Sequence, residues 1–477
     1  MKRIYSLLAA IVLAASSLTA SPTATELIAA SQSGSESIFF KIPSNKKFDV
    51  NVDGYTNPKE FTVRRGVPNF MRKCKEGKEV VIGYIGGSIT KSADMYRLQS
   101  ADQIAKLFPN SKMVGVNAGV AGTGSDLAAC RLKEHMLQYS PDLLFIEFAV
   151  NGANAMGVEG IIRQTIKANP ETDIVLIYTL FGNQAMDYAK GKLPASVAKL
   201  EPVAEHYNLP SVHMGMWSGF LIEEGKMLWK GNVDKAKAEG KEVFTKDGVH
   251  PLRTGGNYYA SAVARAFKAM MSNAGKEQLT LIEPLHKTHM ERAKTIKPSD
   301  LGIDSSWNVI HCDGHKDYDT FKYWFADIYD ATPKSTPLKF KFKGNKIGLF
   351  DVGTKDCGAI EIIVDGQKLV GTKFRNHGSS VSQSALVPLS DPRPSVTRFA
   401  PQCINPWLRG QMELFSLPEA LHEVEIRVLE FSREAKMKII EDAKFKVRPD
   451  ILKKYSPMLD NSVVHYGRVL IDGEIVK

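Results

Sequence analysis

The sequence predicts an α/β domain built on a parallel sheet, followed by an all-β sandwich domain. Two patterns carry this expectation. From about residue 79 to 275, nearly continuous apolar runs alternate with amphipathic stretches, as parallel strands covered by helices on both faces require. After about residue 280, polar and apolar residues alternate with period two, the pattern of half-buried antiparallel strands. The length agrees, because 477 residues exceed what one ordinary core holds.

The elements follow in order. The start, "MKRIYSLLAAIVLAASSLTAS", has basic residues, an apolar stretch and small residues near Ala20. It reads as a secretory signal peptide over residues 1–20, with an apolar run too short for a membrane anchor. Residues 21–40, rich in Ser, Thr and Ala at first, read as a flexible lead-in. The first domain spans 41–280. In it, "EVVIGYIG", "KMVGVNAG", "PDLLFIEFAV" and "TDIVLIYTLF" read as strands. "ADMYRLQSADQIAKLF", "SDLAACRLKEHMLQY", "GIIRQTIKAN" and "NYYASAVARAFKAM" read as helices. The second domain spans 281–477, where "PLKFKFKGNKIGLFDVG", "GAIEIIVDGQKLV" and "HEVEIRVLEF" alternate. Val424, Ile426 and Val428 should face one way, and Glu425 and Arg427 the other. Gly344-Asn345 and Asp365-Gly366 are turn signals between strands.

The formal charge is +10, or +8 without Lys2 and Arg3 of the leader. A basic chain favours acidic partners. No compact basic stripe with interleaved aromatics is present, so nucleic acid is not an expected partner. No later segment has 18 uninterrupted apolar residues, so stable membrane insertion is not expected either. The five cysteines, Cys74, Cys130, Cys312, Cys357 and Cys403, form no metal-ligand spacing. Most should be buried small apolar residues, with room for one disulfide in the C-terminal half.

The stretch "GYIGGSIT" at 83–90 places Ser88 where a strand ends and a helix begins. Its glycines do not fit a dinucleotide fingerprint, no Lys adjoins Ser88 as a phosphate loop needs, and Thr90 breaks the G-x-S-x-G elbow. A nucleophilic Ser on a strand-to-helix turn needs a base from elsewhere. "TKDGVHP" at 245–251 supplies Asp247 and His250 on one short loop. His can take the Ser proton, and Asp can fix the tautomer of the His. Charge on a former carbonyl oxygen needs preplaced donors. "NAGVAGTGSD" offers the Gly122 N–H, and "FAVNGAN" offers the Asn151 amide. Ser88, Gly122 and Asn151 all follow strands, where sites in parallel sheets gather.

Taken together, the blocks "GGSIT", "NAGVAGTGS", "FAVNGAN" and "DGVHP", in this order, resemble those of the SGNH hydrolase (GDSL-type esterase) superfamily. The resemblance covers about residues 79–275. Two departures stand out: Gly152 follows Asn151 where the family often has Asp, and Gly87 stands where many members have Asp. The resemblance implies a flavodoxin-like α/β/α three-layer sandwich and metal-free acyl transfer without a cofactor. It implies Ser88 as nucleophile, His250 as base and Asp247 as its partner. Ser88 N–H, Gly122 N–H and the Asn151 side chain would bind the oxyanion.

A leader plus an accessory β-domain favours an exported carbohydrate esterase, which removes O-acyl groups, acetyl first among them, from a polysaccharide. The segment 214–240 precedes the Asp/His loop and is placed to wall the site, where Trp217 and Trp229 could stack on a sugar. "WLRGQMELF" at 407–415 is a weaker sugar-contact candidate, and His206 and His213 read as structural. A lipolytic or lysophospholipid esterase of the same superfamily, and a non-catalytic glycan-binding protein, are the competing readings. The catalytic set is complete by His250, so a chain cut near residue 280 should keep small-ester activity if it stays soluble.

Overall fold

The computed structural model describes residues 38–371, 384–404, 408–444 and 447–477. The expected leader, residues 21–37 of the lead-in and Trp407 lie outside the described residues. The end of the lead-in is paired: β1 (Phe39–Lys41) runs antiparallel to β4 (Met113–Gly119), with Phe39 opposite Val116.

The first half continues with β2 (Phe61–Thr62), α1 (Pro68–Lys75), β3 (Val80–Gly86), α2 (Ser88–Lys91) and α3 (Tyr96–Leu107). After β4 come α4 (Ser125–His135), β5 (Leu143–Glu147), α5 (Ala155–Ala168), β6 (Asp173–Tyr178), α6 (Ala195–His206) and β7 (Ser211–His213). Then follow α7 (Met216–Glu223), β8 (Met227–Lys230), α8 (Val233–Ala238), β9 (Glu242–Thr245) and α9 (Arg253–Met270).

The main sheet has the order β1-β4-β3-β5-β6-β7-β2, and neighbours from β4 to β7 are parallel. Its central strands thus follow the doubly wound order, with the switch point between β3 and β5. Successive side chains serve opposite faces. Leu144 and Ile146 pack with α4 and α5, whereas Leu143 and Phe145 pack with α1, α3 and α9. That two-sided burial is why the strands read as unbroken apolar runs.

The second half comprises β10 (Ala293–Ile296), β11 (Asn308–His311), β12 (Asp327–Ala331), β13 (Leu338–Gly353), β14 (Ala359–Val364), β15 (Gln367–Gly371), β16 (Ser384–Val387) and β17 (Val396–Thr397). It ends with β18 (Arg409–Leu429), α10 (Arg433–Asp442), α11 (Pro449–Tyr455) and β19 (Val464–Val476). By hydrogen bonding it is one ten-stranded antiparallel sheet rather than two separately bonded sheets. Strand length explains this: β13 and β18 have 16 and 21 residues and pair along almost their whole length. Val424, Ile426 and Val428 are buried, and Glu425 and Arg427 are less so, as the alternation predicts.

Asp365-Gly366 makes the expected tight turn between β14 and β15, with positive φ at both residues. Gly344-Asn345 does not turn. It lies inside β13 at a register shift against both β18 and β19, and a Cβ on Gly344 would stand 2.2 Å from the Asp472 carbonyl oxygen. Glycine serves a bulge and a close backbone approach here, roles that share the local sequence of a turn. All five cysteines are buried and free, so the disulfide left open for the C-terminal half does not form.

The two halves share a core. Phe321, Trp324, Phe325, Phe350, Val352, Met412, Leu414 and Leu470 belong to the same apolar cluster as α4 and α5. Glu134 of α4 pairs with Arg468 at 3.1 Å and accepts from Thr295 at 2.7 Å. The His135 ring lies 3.2 Å from the Trp324 carbonyl. The connection also grips α5: Glu159 accepts from Leu285 N–H and His286 N–H, and Arg163 pairs with Glu291 at 2.5 Å. Lys91, at the end of α2, lies over the Trp324 ring at 5.8 Å. The C-terminal half thereby touches the helix that begins with Ser88.

Within the second half, His465 is 3% exposed and sits between two carboxylates. Nδ1 meets Asp330 at 2.6 Å, and Nε2 meets Asp356 at 3.2 Å, with Tyr318 Oη also facing the ring. Burial alone would lower its pKa, but the two carboxylates raise it well above the usual histidine value. A raised folded-state pKa stabilises the fold fully below the unfolded value, about 6.5, and this stabilisation is lost as pH rises through the folded value. His465→Gln should therefore cost about 3–5 kcal/mol at pH 6, by stranding two carboxylates. The gap in urea midpoint between wild type and variant should narrow as pH rises. A constant gap from pH 6 to 10 would show that the imidazolium contributes nothing.

Candidate active site

Ser88 is the first residue of α2, directly after Gly87 and the end of β3. Its Oγ lies 2.7 Å from His250 Nε2, and His250 Nδ1 lies 2.6 Å from Asp247 Oδ2. Strand β9 delivers the last two residues. Thr245 Oγ1 accepts Asp247 N–H and Gly248 N–H, and it donates to Asp247 Oδ1 at 3.0 Å. The same Oδ1 takes Val249 N–H and His250 N–H, both at 2.8 Å. Burial raises the Asp247 carboxyl, but the hydrogen bonds from the His250 ring and the two backbone N–H groups hold it well below the usual carboxylate range. It is an ionised acceptor. Such a series lets an imidazole take a hydroxyl proton while a fixed anion faces its other nitrogen.

Asn151 lies at the end of the neighbouring parallel strand, in the turn after β5. Its amide stands against Gly87, where an added Cβ would be 2.2 Å from Oδ1. Gly152 has φ +86°. Both departures from the family pattern are thus positions where a side chain is crowded or strained. Gly122 has φ +69° in the loop after β4, and Val120 N–H in that loop bonds the Gly86 carbonyl at 3.0 Å. The structure therefore brings Ser88, His250 and Asp247 into one chain, with Asn151 and the Gly122 loop beside the same strand end.

The two tryptophans differ. Trp229 adjoins the His loop: its Nε1 donates to the Gly248 carbonyl at 2.9 Å, and its ring stacks on Phe244 at 4.3 Å. Trp217 is taken up elsewhere, stacked on Tyr55 at 5.4 Å, edge-on to Tyr258 and under the Arg265 guanidinium. His213 is buried against Tyr188, and His206 bonds the Glu283 carbonyl, both structural positions.

Sequence reasoning passed over Glu147 and its neighbours. Glu147 is fully buried at the end of β5 and accepts from Thr90 at 2.9 Å and Thr179 at 2.5 Å. Its signal was a lone acid inside the apolar run "LLFIEFAV". The described residues also hold one group able to bind a metal ion, Asp356, Cys357 and His465, with ligand atoms within 4.8 Å of one another. It lies in the C-terminal sheet, and both ring nitrogens of His465 already face carboxylates.

No family model and no curated protein sequence matches this chain. Solved structures do. A two-domain esterase active on acetylated mannans aligns over 87% of this chain and 96% of its own, at 18% identity and a TM-score of 0.57. The structure of such an esterase co-crystallised with mannopentaose aligns over 86% and 94%, at 19% identity and a TM-score of 0.55. The likeness spans both halves, so this chain has the two-domain fold of those esterases. Among the described residues, no helix is long and apolar enough to cross a membrane.

Proposed function

We propose that this chain is a serine esterase that removes O-acetyl groups from a polysaccharide. The observation that carries this reading is the unbroken hydrogen-bonded series Asp247–His250–Ser88 at the carboxyl end of a parallel sheet. In it, Ser88 Oγ attacks the ester carbonyl as His250 Nε2 takes its proton, and Asp247 stabilises the imidazolium. Ser88 N–H, Gly122 N–H and the Asn151 amide receive the oxyanion. His250 then protonates the departing sugar hydroxyl, and water, activated by the same ring, releases acetate from Ser88. The leader peptide of the sequence suits an exported enzyme, with 41–280 as its hydrolase unit and 281–477 as its β-domain.

Acetylated glycan is favoured over lipid because the whole two-domain architecture, rather than the α/β half alone, is shared with esterases active on acetylated mannans. Trp229 remains the aromatic candidate beside the triad loop, and Trp217 is set aside. The test measures acetate release from acetylated mannan and acetylated xylan, alongside p-nitrophenyl esters of increasing chain length. Acetate release, with rates falling beyond the acetyl ester, is expected. Preference for long acyl chains without release from glycan would favour the lipolytic reading, and no hydrolysis at all would favour the non-catalytic one.

Asn151→Ala should slow turnover roughly a hundredfold, about 3 kcal/mol, with little change in KM, because its amide serves the transition state rather than the ground state. Steady-state kinetics on p-nitrophenyl acetate read this directly. A change confined to KM would make Asn151 a substrate-binding residue instead.

A further inference from the structure

Glu147 is an acid with no exposed surface, set beneath the turn that carries Ser88. Its carboxyl group accepts from hydroxyls on two separate segments, Thr90 within α2 at 2.9 Å and Thr179 after β6 at 2.5 Å, while burial pushes it above the usual carboxylate range. The Thr90 oxygen also meets the Tyr96 hydroxyl of α3 at 2.7 Å. With Thr90 donating to Glu147, Tyr96 donates to Thr90, so the hydrogen bonds run inward to one carboxyl group. Gly87, just before Ser88, packs against the Asn151 amide, where an added Cβ would lie 2.2 Å from Oδ1. The buried carboxyl group of Glu147 thus ties α2, which begins with Ser88, to β5 and to the end of β6.

We propose that Glu147 is a positioning residue of the esterase reaction. It locks the nucleophile turn through Thr90 and ties that turn to Thr179, just after β6. The proposal rests on the serine-esterase reading above.

Glu147→Gln keeps the shape and removes the carboxyl group. On p-nitrophenyl acetate, kcat should fall about tenfold or more with KM within twofold, since a small misplacement of a reacting group is costly. Glu147→Asp keeps the carboxyl group but draws it back from Thr90 and Thr179, so kcat should fall there too with KM unchanged. A Gln or Asp variant with kcat within twofold of wild type overturns the proposal, as does a loss carried by KM alone. Should the Gln variant not fold, Thr90→Val reads the same link, and wild-type turnover there overturns it. Ser88→Ala separates the two claims: hydrolysis surviving in it removes the esterase reading, whereas a dead Ser88→Ala beside an indifferent Glu147→Gln removes only the role of Glu147.

Discussion

Ser88→Ala is expected to lose roughly 10⁴- to 10⁶-fold in kcat on any ester the protein hydrolyses, the scale seen when a triad nucleophile is removed. The fold should not notice. The Ser88 side chain has one described partner, His250 Nε2, and that ring is about a third exposed, so water can replace the hydroxyl. The backbone role of Ser88, accepting Ser92 N–H at 3.1 Å, survives in alanine, and alanine is at least as good a helix residue. Purified variant and wild type should therefore have urea midpoints that agree while their p-nitrophenyl acetate rates differ by orders of magnitude. Activity within tenfold of wild type would remove Ser88 as the nucleophile, and with it the acyl-enzyme mechanism.

The site was legible because its groups sit at strand ends next to glycine turns, where local sequence and tertiary position coincide. Ser88, Asn151 and Gly122 each follow a strand that periodicity alone reveals, and Asp247 and His250 share one short loop. What escaped depended on partners far apart in the chain. Glu147 was visible as an acid in an apolar strand, but its donors come from Thr90 and Thr179 on other segments. Trp217 looked free because Tyr55 and Arg265, which occupy its ring, lie on other segments. Gly344-Asn345 has the composition of a turn, and only its pairing with β18 and β19 makes it a bulge. The alternation in the C-terminal half told which side of each strand is buried, but not that part of that surface is buried against α4 and α5.

That last point reverses the expectation for a shortened chain. A protein ending near residue 280 retains Ser88, Asp247 and His250, yet it should fail to accumulate as a soluble, folded hydrolase. At least eight large side chains of the C-terminal half, from Phe321 to Leu470, belong to the cluster around α4 and α5. At about 1.5–3 kcal/mol for each buried side chain of this size, the apolar surface they cover is worth on the order of 10 kcal/mol or more. That is comparable to the whole net stability of an ordinary domain. The cut also strands polar groups: Glu134 loses Arg468 and Thr295, Glu159 loses Leu285 and His286, and Arg163 loses Glu291. Glu159 and Arg163 are buried, so their desolvation is no longer offset by these partners. The damage falls on α4, the helix entered from the Gly122 loop. Soluble yield, circular dichroism and p-nitrophenyl acetate hydrolysis of residues 38–280 read the outcome, and residues 281–477 expressed alongside as a separate chain should restore part of the activity. If the shortened chain is soluble, melts within a few degrees of the full-length protein and turns over the small ester at its rate, the β-domain is dispensable to the fold, and the shared core carries far less stability than its burial implies.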